Sequence, residues 1–347
     1  MKTIKDLDLK DKNILVRVDY NVPLKDKKVE SDLRIRASLP TINYLLENGA
    51  KKIILISHLG RPEEKENPEF SLVPVAETLK ELLGQPVDFK SLPQNGEKIE
   101  SNAKIILLEN LRFNPGEEEN SQDFIKNIVN AVEADAFVQD GFAVIHRAHA
   151  STDAIKNFLP VYAGLLLENE VKNLKKAMEN PEHPVVLIIG GSKVEDKQPL
   201  IDKFVNIADN ILVGGKIAAD GYKPLDSKII VATDFDEDAE GAKLDIGPVS
   251  TAEFAKYIAG AKTIIWNGVM GKVEDPAFTT ASSIIADTIG KNTTATSIIC
   301  GGDTTGFVEN YLENHQDLKF SLISTGGGAA LEFLLGKELP GIKCVES

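Results

Sequence analysis

Short apolar runs, separated by longer amphipathic segments, recur along the whole chain. In its first half these runs predict four strands, at Ile14–Val18, Ile53–Ile56, Lys104–Leu108 and Ala136–Val138. The segments between them predict three helices, at Ile35–Glu47, Val73–Leu83 and Gln122–Glu133. Because strands that alternate with helices form a mainly parallel sheet, the pattern predicts a doubly wound α/β fold.

The second half of the chain repeats this pattern. Its apolar runs predict six strands, near Val185–Ile189, Ile211–Val213, Ile229–Ala232, Thr263–Trp266, Thr296–Ile299 and Ser321–Ser324. Between the halves, an amphipathic helix is predicted at Leu166–Asn180. A chain of 347 residues exceeds the length at which one core usually keeps growing. We therefore expect one domain at 1–165, a connecting helix at 166–180 and a second domain at 181–335.

Composition narrows the range of partners. A net charge of −14 disfavours nucleic acid and acidic membranes, and no apolar stretch approaches the length of a membrane span. The first residues, Met1 to Lys12, lack the apolar segment of a signal peptide, so a cytoplasmic location is expected. Cys300 and Cys344 are too few and too far apart for a disulfide framework or a thiolate metal site, which predicts buried or incidental thiols.

Cations gather directly after the predicted strands of the first half. All six arginines lie in the first 147 residues, namely Arg17, Arg34, Arg36, Arg61, Arg112 and Arg147. Ligands of open α/β sheets bind beyond the carboxyl ends of the strands. Arginine or histidine follows each predicted strand, within Arg17–Pro23, His58–Pro62, Glu109–Phe113 and Asp140–His149. This placement predicts an anion-binding surface, with structural ion pairs as the alternative.

The second half has no arginine but several runs of two or three glycines that follow strands. They lie at 190–191, 214–215, 301–302 and 326–328. At Gly190–Lys197 the glycines open a helix, whose free N–H groups and dipole favour a phosphate, and Lys193 and Lys197 share one helix face. Close helix–strand packing is the alternative explanation for such glycines. The Walker A and Gly-x-Gly-x-x-Gly patterns are lacking in the required context, so a nucleotide would be held in another way.

Three further features bear on the chemistry. Asp303, near the start of a predicted helix, suits either an N-cap or a metal-coordinating carboxylate. His146 and His149 have no third ligand nearby, so zinc catalysis is not expected. Acidic patches at Glu63–Glu66 and Glu117–Glu119 are predicted to be solvated loops.

These segments closely resemble the motifs of the phosphoglycerate kinase family through almost the whole chain. In the first half the matching segments are Arg17–Pro23, Arg34–Ile42, Ser57–Pro62, Leu108–Phe113 and His146–Thr152. In the second half they are Gly190–Lys197, Trp266–Gly268, Gly301–Thr304 and Ser324–Ala329. The resemblance implies reversible transfer of a phosphoryl group between 1,3-bisphosphoglycerate and ADP in glycolysis, by a monomer of two Rossmann-like domains. It also implies that residues 336–347 return to the first domain.

The resemblance assigns residues to the two substrates. Those implied for phosphoglycerate are Asp19, Asn21, Arg34, His58, Leu59, Gly60, Arg61, Arg112, His146 and Arg147. Those implied for ADP or ATP are Lys193, Lys197, Glu274, Gly301, Gly302, Asp303 and Thr304, with Asp303 meeting the Mg²⁺ that accompanies the nucleotide. Arg17 is expected to be structural and Arg36 solvated.

The implied chemistry needs few participants. A carboxylate is already ionised at neutral pH and attacks the γ-phosphate without a general base, so catalysis reduces to positioning and charge neutralisation. Arg34 and Lys197 are the residues expected to perform that neutralisation. Because they lie on separate predicted domains, closure of the domains is expected, which would also exclude water.

The chain departs from the family pattern in three places. Only Lys216–Lys228 stands where the family has a considerably longer segment that helps to form the adenine pocket. Gly141–Ile145 replaces the usual Ala-Phe-Gly-Thr-Ala, and Val269 and Lys272 replace proline and valine. Two other functions are therefore weighed against an active kinase: a non-catalytic nucleotide-sensing or scaffold protein, and a kinase for another carboxylate.

Overall fold

The computed structural model describes residues 1–63 and 65–347, so Glu64, in the acidic patch Glu63–Glu66, lies outside the described residues. The chain divides into two units. The first consists of Met1–Asn169 together with Glu338–Ser347, and the second of Glu170–Lys337. Within the described residues, no helix combines the length and the apolar character that crossing a membrane requires.

The first unit contains eight strands among its described residues. They are β1 (Asn13–Arg17), β2 (Leu24–Lys25), β3 (Lys28–Val29), β4 (Lys52–Ile56), β5 (Val87–Lys90), β6 (Ile105–Leu108), β7 (Ala136–Gln139) and β8 (Val161–Ala163). Its helices are α1 (Leu33–Glu47), α2 (Val73–Leu83), α3 (Gln122–Val132) and the start of α4 (Leu165–Glu179), which contains the boundary between the units.

Six of these strands form one parallel sheet in the order β5-β6-β4-β1-β7-β8. Strand β1 lies between β4 and β7, with Ile14 opposite Ile53 and Ala136. Every residue of β1 is buried, because helices cover both faces of a doubly wound sheet and its central strands are therefore apolar throughout. Strands β2 and β3 form a separate antiparallel hairpin.

The second unit has its own parallel sheet. Its strands are β9 (Val185–Ile189), β10 (Asn210–Val213), β11 (Ile229–Val231), β12 (Phe235–Glu237), β13 (Lys243–Ile246), β14 (Thr263–Asn267), β15 (Thr296–Cys300) and β16 (Leu322–Ile323). Its helices are α5 (Val194–Phe204), α6 (Gly215–Ala219), α7 (Pro248–Gly260), α8 (Thr280–Lys291), α9 (Gly302–Leu312) and α10 (Gly328–Leu334). The sheet order is β11-β10-β9-β14-β15-β16, while β12 and β13 pair with each other. The predicted fold class, two Rossmann-like parallel-sheet units, is confirmed.

The last helix, α11 (Pro340–Glu346), belongs to the first unit. The Gly341 N–H donates to the Ile145 carbonyl at 2.9 Å. A Cβ at Gly341 would lie 2.7 Å from the Ile145 Cβ, so this close approach requires a glycine. Cys344 of α11 is buried, as is Cys300 in β15, and burial raises the pKa of the two thiols to about 12 and about 11 respectively.

Candidate active site

The basic side chains that follow the strands of the first unit form one electrostatically coupled group. Arg17, Arg112 and Arg34 all lower the pKa of His58, and Arg147 and His146 lower that of His149. We call this group the basic cluster; it comprises Arg17, Arg34, His58, Arg112, His146, Arg147 and His149. Four segments that follow strands β1, β4, β6 and β7 are thus brought together with Arg34 of α1, as expected for strand ends that share one edge of a parallel sheet.

Arg17 lies at the end of β1 and is 1% exposed. Its Nε donates to Ser151 Oγ at 2.8 Å, and its guanidinium also donates to His58 Nδ1 at 3.2 Å and to the Val18 carbonyl. Arg17 therefore makes its hydrogen bonds within the protein, as expected for an arginine with a structural role. Arg36, in contrast, is exposed and pairs with Asp32.

Arg34 stands in the first turn of α1 with 34% of its side chain exposed, and it forms an ion pair with buried Asp19. The Asp19 carboxylate also accepts from the Asn21 N–H at 3.2 Å, and Asn21 Oδ1 accepts from the Gly60 N–H at 2.9 Å. Hydrogen bonds therefore connect four of the residues that sequence assigned to phosphoglycerate. They anchor the Arg34 guanidinium on one side and leave another part of it open to a ligand.

Arg112 is buried and held by two oxygen atoms. It donates to the Gly60 carbonyl at 2.8 Å, and its Nε lies 2.9 Å from Glu118 Oε1. A Cβ at Gly60 would lie 2.3 Å from the Phe70 ring, so packing explains this glycine. The Leu59 side chain is also buried, while Arg61 is exposed.

The histidines of the cluster contribute hydrogen-bonding groups more than charge. Burial, followed by the charges of Arg17 and Arg112, holds the pKa of His58 well below its ordinary value. Burial and then Arg112 lower the pKa of His149 to about 4. Because His58 Nδ1 accepts from Arg17, the proton of neutral His58 lies on Nε2, which is a donor. At neutral pH His58 and His149 are therefore uncharged, and the positive charge around them is that of the neighbouring arginines.

The loop that carries His146 and Arg147 follows a short 3₁₀ turn at Phe142–Val144. Arg147 Nε donates to His146 Nε2 at 3.3 Å, and both side chains are partly exposed. The Gly141–Ile145 segment that departs from the family pattern is thus an ordered turn, and it delivers His146 and Arg147 to the basic cluster.

The sequence did not predict that Glu117 is buried beside the basic cluster. Glu117 was predicted to be solvated with Glu118 and Glu119, and this was wrong, since Glu117 is 0% exposed. Its carboxylate accepts from the Ser151 hydroxyl at 2.6 Å and from the Ser151 N–H at 3.1 Å. The partner lies 34 residues further along the chain, so no local signal in the sequence could reveal the contact.

The glycines that follow strands in the second unit are of two kinds: those that backbone packing requires and those that face open space. A Cβ at Gly190 would lie 2.2 Å from the Val269 carbonyl oxygen, and one at Gly215 would lie 2.8 Å from the Gly191 nitrogen. Backbone packing therefore explains these two glycines. In contrast, a Cβ at Gly302 or Gly328 would meet nothing within 4 Å. Gly302 and Gly328, at the first positions of α9 and α10, are thus free of the packing that requires glycine at Gly190 and Gly215. The N–H groups in the first turn of α9 suit an anion.

Lys197 lies on α5 near the beginning of α9. Its ammonium donates to Asn267 Oδ1, and burial lowers its pKa, while the nearby Cys300, Asp196 and Asp303 oppose that shift. Lys193 is the exposed N-cap residue of α5. The structure therefore brings Lys197 and Asp303 into one electrostatic environment.

The remaining predicted nucleotide residues occupy different environments. Gly301 is the N-cap of α9, so Asp303 lies in the first turn as an exposed carboxylate and is not the cap. Thr304 is buried and its Oγ1 accepts from the Gly268 N–H at 2.7 Å, so its hydroxyl is already engaged. Glu274 is exposed in the loop after β14.

The donor atoms present fit a magnesium ion that arrives with its nucleotide. Within residues 1–63 and 65–347, no group of three or more His, Cys, Asp or Glu side chains could hold a metal ion. Mg²⁺ is commonly bound by one or two carboxylates together with substrate phosphates and water. The single exposed carboxylate of Asp303 suits that arrangement and does not suit a metal held by protein alone.

A model of the phosphoglycerate kinase family matches the chain in two pieces, residues 4–229 and 222–337. The pieces overlap at 222–229, which comprises the second half of the Lys216–Lys228 segment and the first residue of β11. Phosphoglycerate kinase of Dictyoglomus turgidum is 41% identical over 400 aligned positions, covering 99% of both chains. Since this chain has 347 residues, 400 positions minus 347 leaves at least 53 without a counterpart here. The shortening of the Lys216–Lys228 segment is consistent with both observations.

Other relatives agree over the full length. Phosphoglycerate kinase of Thermosipho africanus is 41% identical, covering 99% of this chain and 97% of its own. The structure of phosphoglycerate kinase from Coxiella burnetii is 35% identical with a TM-score of 0.81, covering 99% of this chain and 98% of that one. That from Pyrococcus horikoshii is 26% identical with a TM-score of 0.86, covering 100% and 98%. The chain therefore belongs to the phosphoglycerate kinase family, whose reaction is reversible phosphoryl transfer between 1,3-bisphosphoglycerate and ADP, giving 3-phosphoglycerate and ATP.

Proposed function

We propose that the first unit binds the phosphoglycerate substrate and the second binds ADP or ATP with Mg²⁺. The observation that carries this division is the contrast between their anion-binding groups. The first unit gathers arginines around neutral histidines, and the second offers the N-terminus of α9, where Gly302 faces open space. Guanidinium groups suit the phosphate and carboxylate of a small acid, whereas backbone N–H groups suit a nucleotide phosphate chain.

On the phosphoglycerate side, the exposed parts of the arginines would contact the ligand. Arg34, Arg61 and Arg147 retain exposed surface, while Arg112 is held between Gly60 and Glu118. Asp19, Asn21, His58 and His146 would orient these cations and the ligand. Leu59 and Gly60 would act through their backbone, because the leucine side chain is buried and the glycine packs on Phe70.

On the nucleotide side, the first turn of α9 would receive phosphate oxygens at Gly301 and Gly302. Lys193, Lys197 and Glu274 would complete the site, and Thr304 would support it through the Gly268 backbone. Asp303 would hold Mg²⁺, which supplies positive charge to the nucleotide phosphates.

For the transfer itself, the substrate carboxylate needs no general base. We expect Arg34 and Lys197 each to neutralise charge on the phosphoryl group during transfer. The partial burial of Lys197, which lowers its pKa, strengthens its interaction with an anion that replaces water.

The experiment that tests the proposal is a coupled assay of the purified protein with 3-phosphoglycerate and MgATP. We expect turnover that is lost with EDTA and restored by added Mg²⁺. Binding of both substrates without turnover would favour a nucleotide-sensing or scaffold role, and turnover confined to another acid in a substrate panel would favour a different carboxylate kinase. No turnover of any acid under varied conditions would refute the proposal.

Two further properties are proposed with the activity. We place the protein in the cytoplasm, where its glycolytic substrates are made and used, and expect a monomer, because each proposed substrate site is built from one chain. Fractionation of cells and light scattering of the purified protein test these two points.

A further inference from the structure

Glu117 carries a buried carboxylate that the proposed chemistry does not use. It lies in the turn between Phe113 and α3, is 0% exposed, and stands beside exposed Glu118 and Glu119. A buried carboxylate is costly unless it is paired and hydrogen-bonded. Its contacts therefore show which part of the structure depends on it.

Glu117 holds the chain directly after the loop that carries His146 and Arg147. Its two carboxylate oxygens accept from the hydroxyl and the N–H of Ser151, and its main-chain oxygen accepts from the Ala150 N–H at 2.9 Å. Nearer the loop, the Thr152 hydroxyl donates to the Arg147 carbonyl at 2.6 Å. Three bonds from one residue thus fix the end of the segment that presents Arg147.

The same carboxylate is linked to Arg17 through a single hydroxyl. Ser151 Oγ accepts from Arg17 Nε at 2.8 Å while it donates to Glu117. Burial lowers the pKa of Arg17 and raises the pKa of Glu117. In each case the other group of this pair is the largest charge that opposes the shift. His149 Nδ1 lies 3.9 Å from the carboxylate, but with a pKa of about 4 it is neutral and supplies no countercharge.

We propose that Glu117 is a positioning residue for phosphoglycerate binding. Through Ser151 its carboxylate fixes the segment that carries His146 and Arg147 and holds Arg17 against His58. This inference rests on the proposed function, since it requires the basic cluster to bind phosphoglycerate. It adds to that function a buried acid that determines how the cluster is arranged.

Glu117→Gln tests the proposal, with Glu119→Gln as the matched control. The amide keeps the size of the side chain but cannot be ionised, and it puts a donor N–H₂ group in place of one of the two oxygens that now accept from Ser151. We expect the KM for 3-phosphoglycerate to rise about tenfold or more while the KM for MgATP changes less than about twofold. In the same variant 3-phosphoglycerate should raise Tm less than in the unaltered protein, whereas MgADP should raise it equally. Glu119→Gln should match the unaltered protein.

Ser151→Ala provides a second test that does not depend on the folding of the first variant. It removes the hydroxyl between Arg17 and Glu117 but keeps both of these side chains, and we expect a selective rise of about threefold in the KM for 3-phosphoglycerate. An unchanged KM for 3-phosphoglycerate in folded variants, or equal changes in both KM values, would overturn the positioning role. No turnover by the unaltered protein would instead overturn the proposed function, and this inference with it.

Discussion

At the scale of single residues, Arg34 and Lys197 are the side chains expected to act mainly in the transition state. Arg34 is anchored by Asp19 yet 34% exposed, and Lys197 is partly buried beside Asn267. We expect Arg34→Ala and Lys197→Ala each to lower kcat by about 10²–10³, with a much smaller effect on substrate binding. Steady-state kinetics with both substrates varied measures this.

Arg36→Ala is the matched control for Arg34. It lies on the same helix, is exposed and pairs with Asp32, so kcat should stay close to that of the unaltered protein. A loss that appears only in KM for either main variant would show that the cation binds the ground state equally well, which contradicts the proposed role.

The glycines of the second unit offer a residue-scale test that separates packing from binding. In Gly190→Ala the added Cβ would collide with the Val269 carbonyl, so we expect the Tm of the second unit to fall by several degrees, about 2–4 °C per kcal/mol for a unit of this size. In Gly302→Ala the added Cβ meets nothing, so Tm should hold while the KM for MgATP rises. Thermal unfolding and kinetics on the same preparations distinguish the two. Equal Tm values for both variants would show that the native structure accommodates a Cβ at Gly190, which contradicts the packing role of this glycine.

At the scale of elements, the sequence specified the central strands because their physical signal is local. Strand β1 is buried throughout and was recognisable as an apolar run. Strand β5, Val-Asp-Phe-Lys, was missed because an edge strand alternates apolar and polar residues and forms only by pairing with β6. Strand β8 has only three residues, too few for a periodic pattern.

The same distinction, between signals that are local in sequence and contacts that form only on folding, applies to the candidate active site. The arginines could be placed because they directly follow strands whose ends share one edge of the sheet. The role of Glu117 could not, because it depends on a contact with Ser151 made by the folded chain. The packing of Gly190 against Val269 was equally inaccessible, since it joins the ends of β9 and β14.

The start of α4 gives an element-scale prediction about pH. Asp140, 0% exposed, accepts with Oδ1 from the N–H groups of Leu166 and Leu167 in the first turn of that helix. Burial raises the pKa of Asp140 from 3.8 to about 7, against these hydrogen bonds. The folded state therefore holds a proton that the unfolded state releases, so the contribution of Asp140 to the free energy of unfolding falls as pH rises from about 4 to about 7.

Asp140→Asn removes that contribution and keeps an oxygen for the helix. We expect the free energy of unfolding of the variant, relative to the unaltered protein, to increase between pH 4 and 8 by roughly 1.4 kcal/mol for each unit of the pKa difference. Urea unfolding at a series of pH values measures it. Other buried acids such as Glu170 are present in both proteins and cancel in the comparison, so parallel curves would contradict the raised pKa.

At the scale of the whole molecule, the chain retains the family's two-unit fold, although the Lys216–Lys228 segment, in the unit proposed to bind the nucleotide, is short. Helix α6 has only five residues, and Leu225, in the Lys216–Lys228 segment, is 88% exposed. Fewer groups remain there to contact a base. We therefore expect weak discrimination between bases, with kcat/KM for MgGTP within about tenfold of that for MgATP. A preference above about a hundredfold would show that other residues form a selective base pocket.

Removal of residues 338–347 tests how the C-terminus contributes to function. Leu339, Cys344 and Val345 are buried in the first unit, and Gly341 packs on Ile145, directly before His146. Each large apolar side chain contributes about 1.5–3 kcal/mol through its burial, so truncation should destabilise the first unit and loosen the loop that carries Arg147. We expect affinity for 3-phosphoglycerate to fall about tenfold or more while MgADP affinity is kept, because the second unit retains all its residues. Calorimetric titration of each ligand measures this, with removal of exposed residues 346–347 as the control. An equal loss of both affinities would contradict this prediction, because it would mean that α11 stabilises the second unit as well as the first.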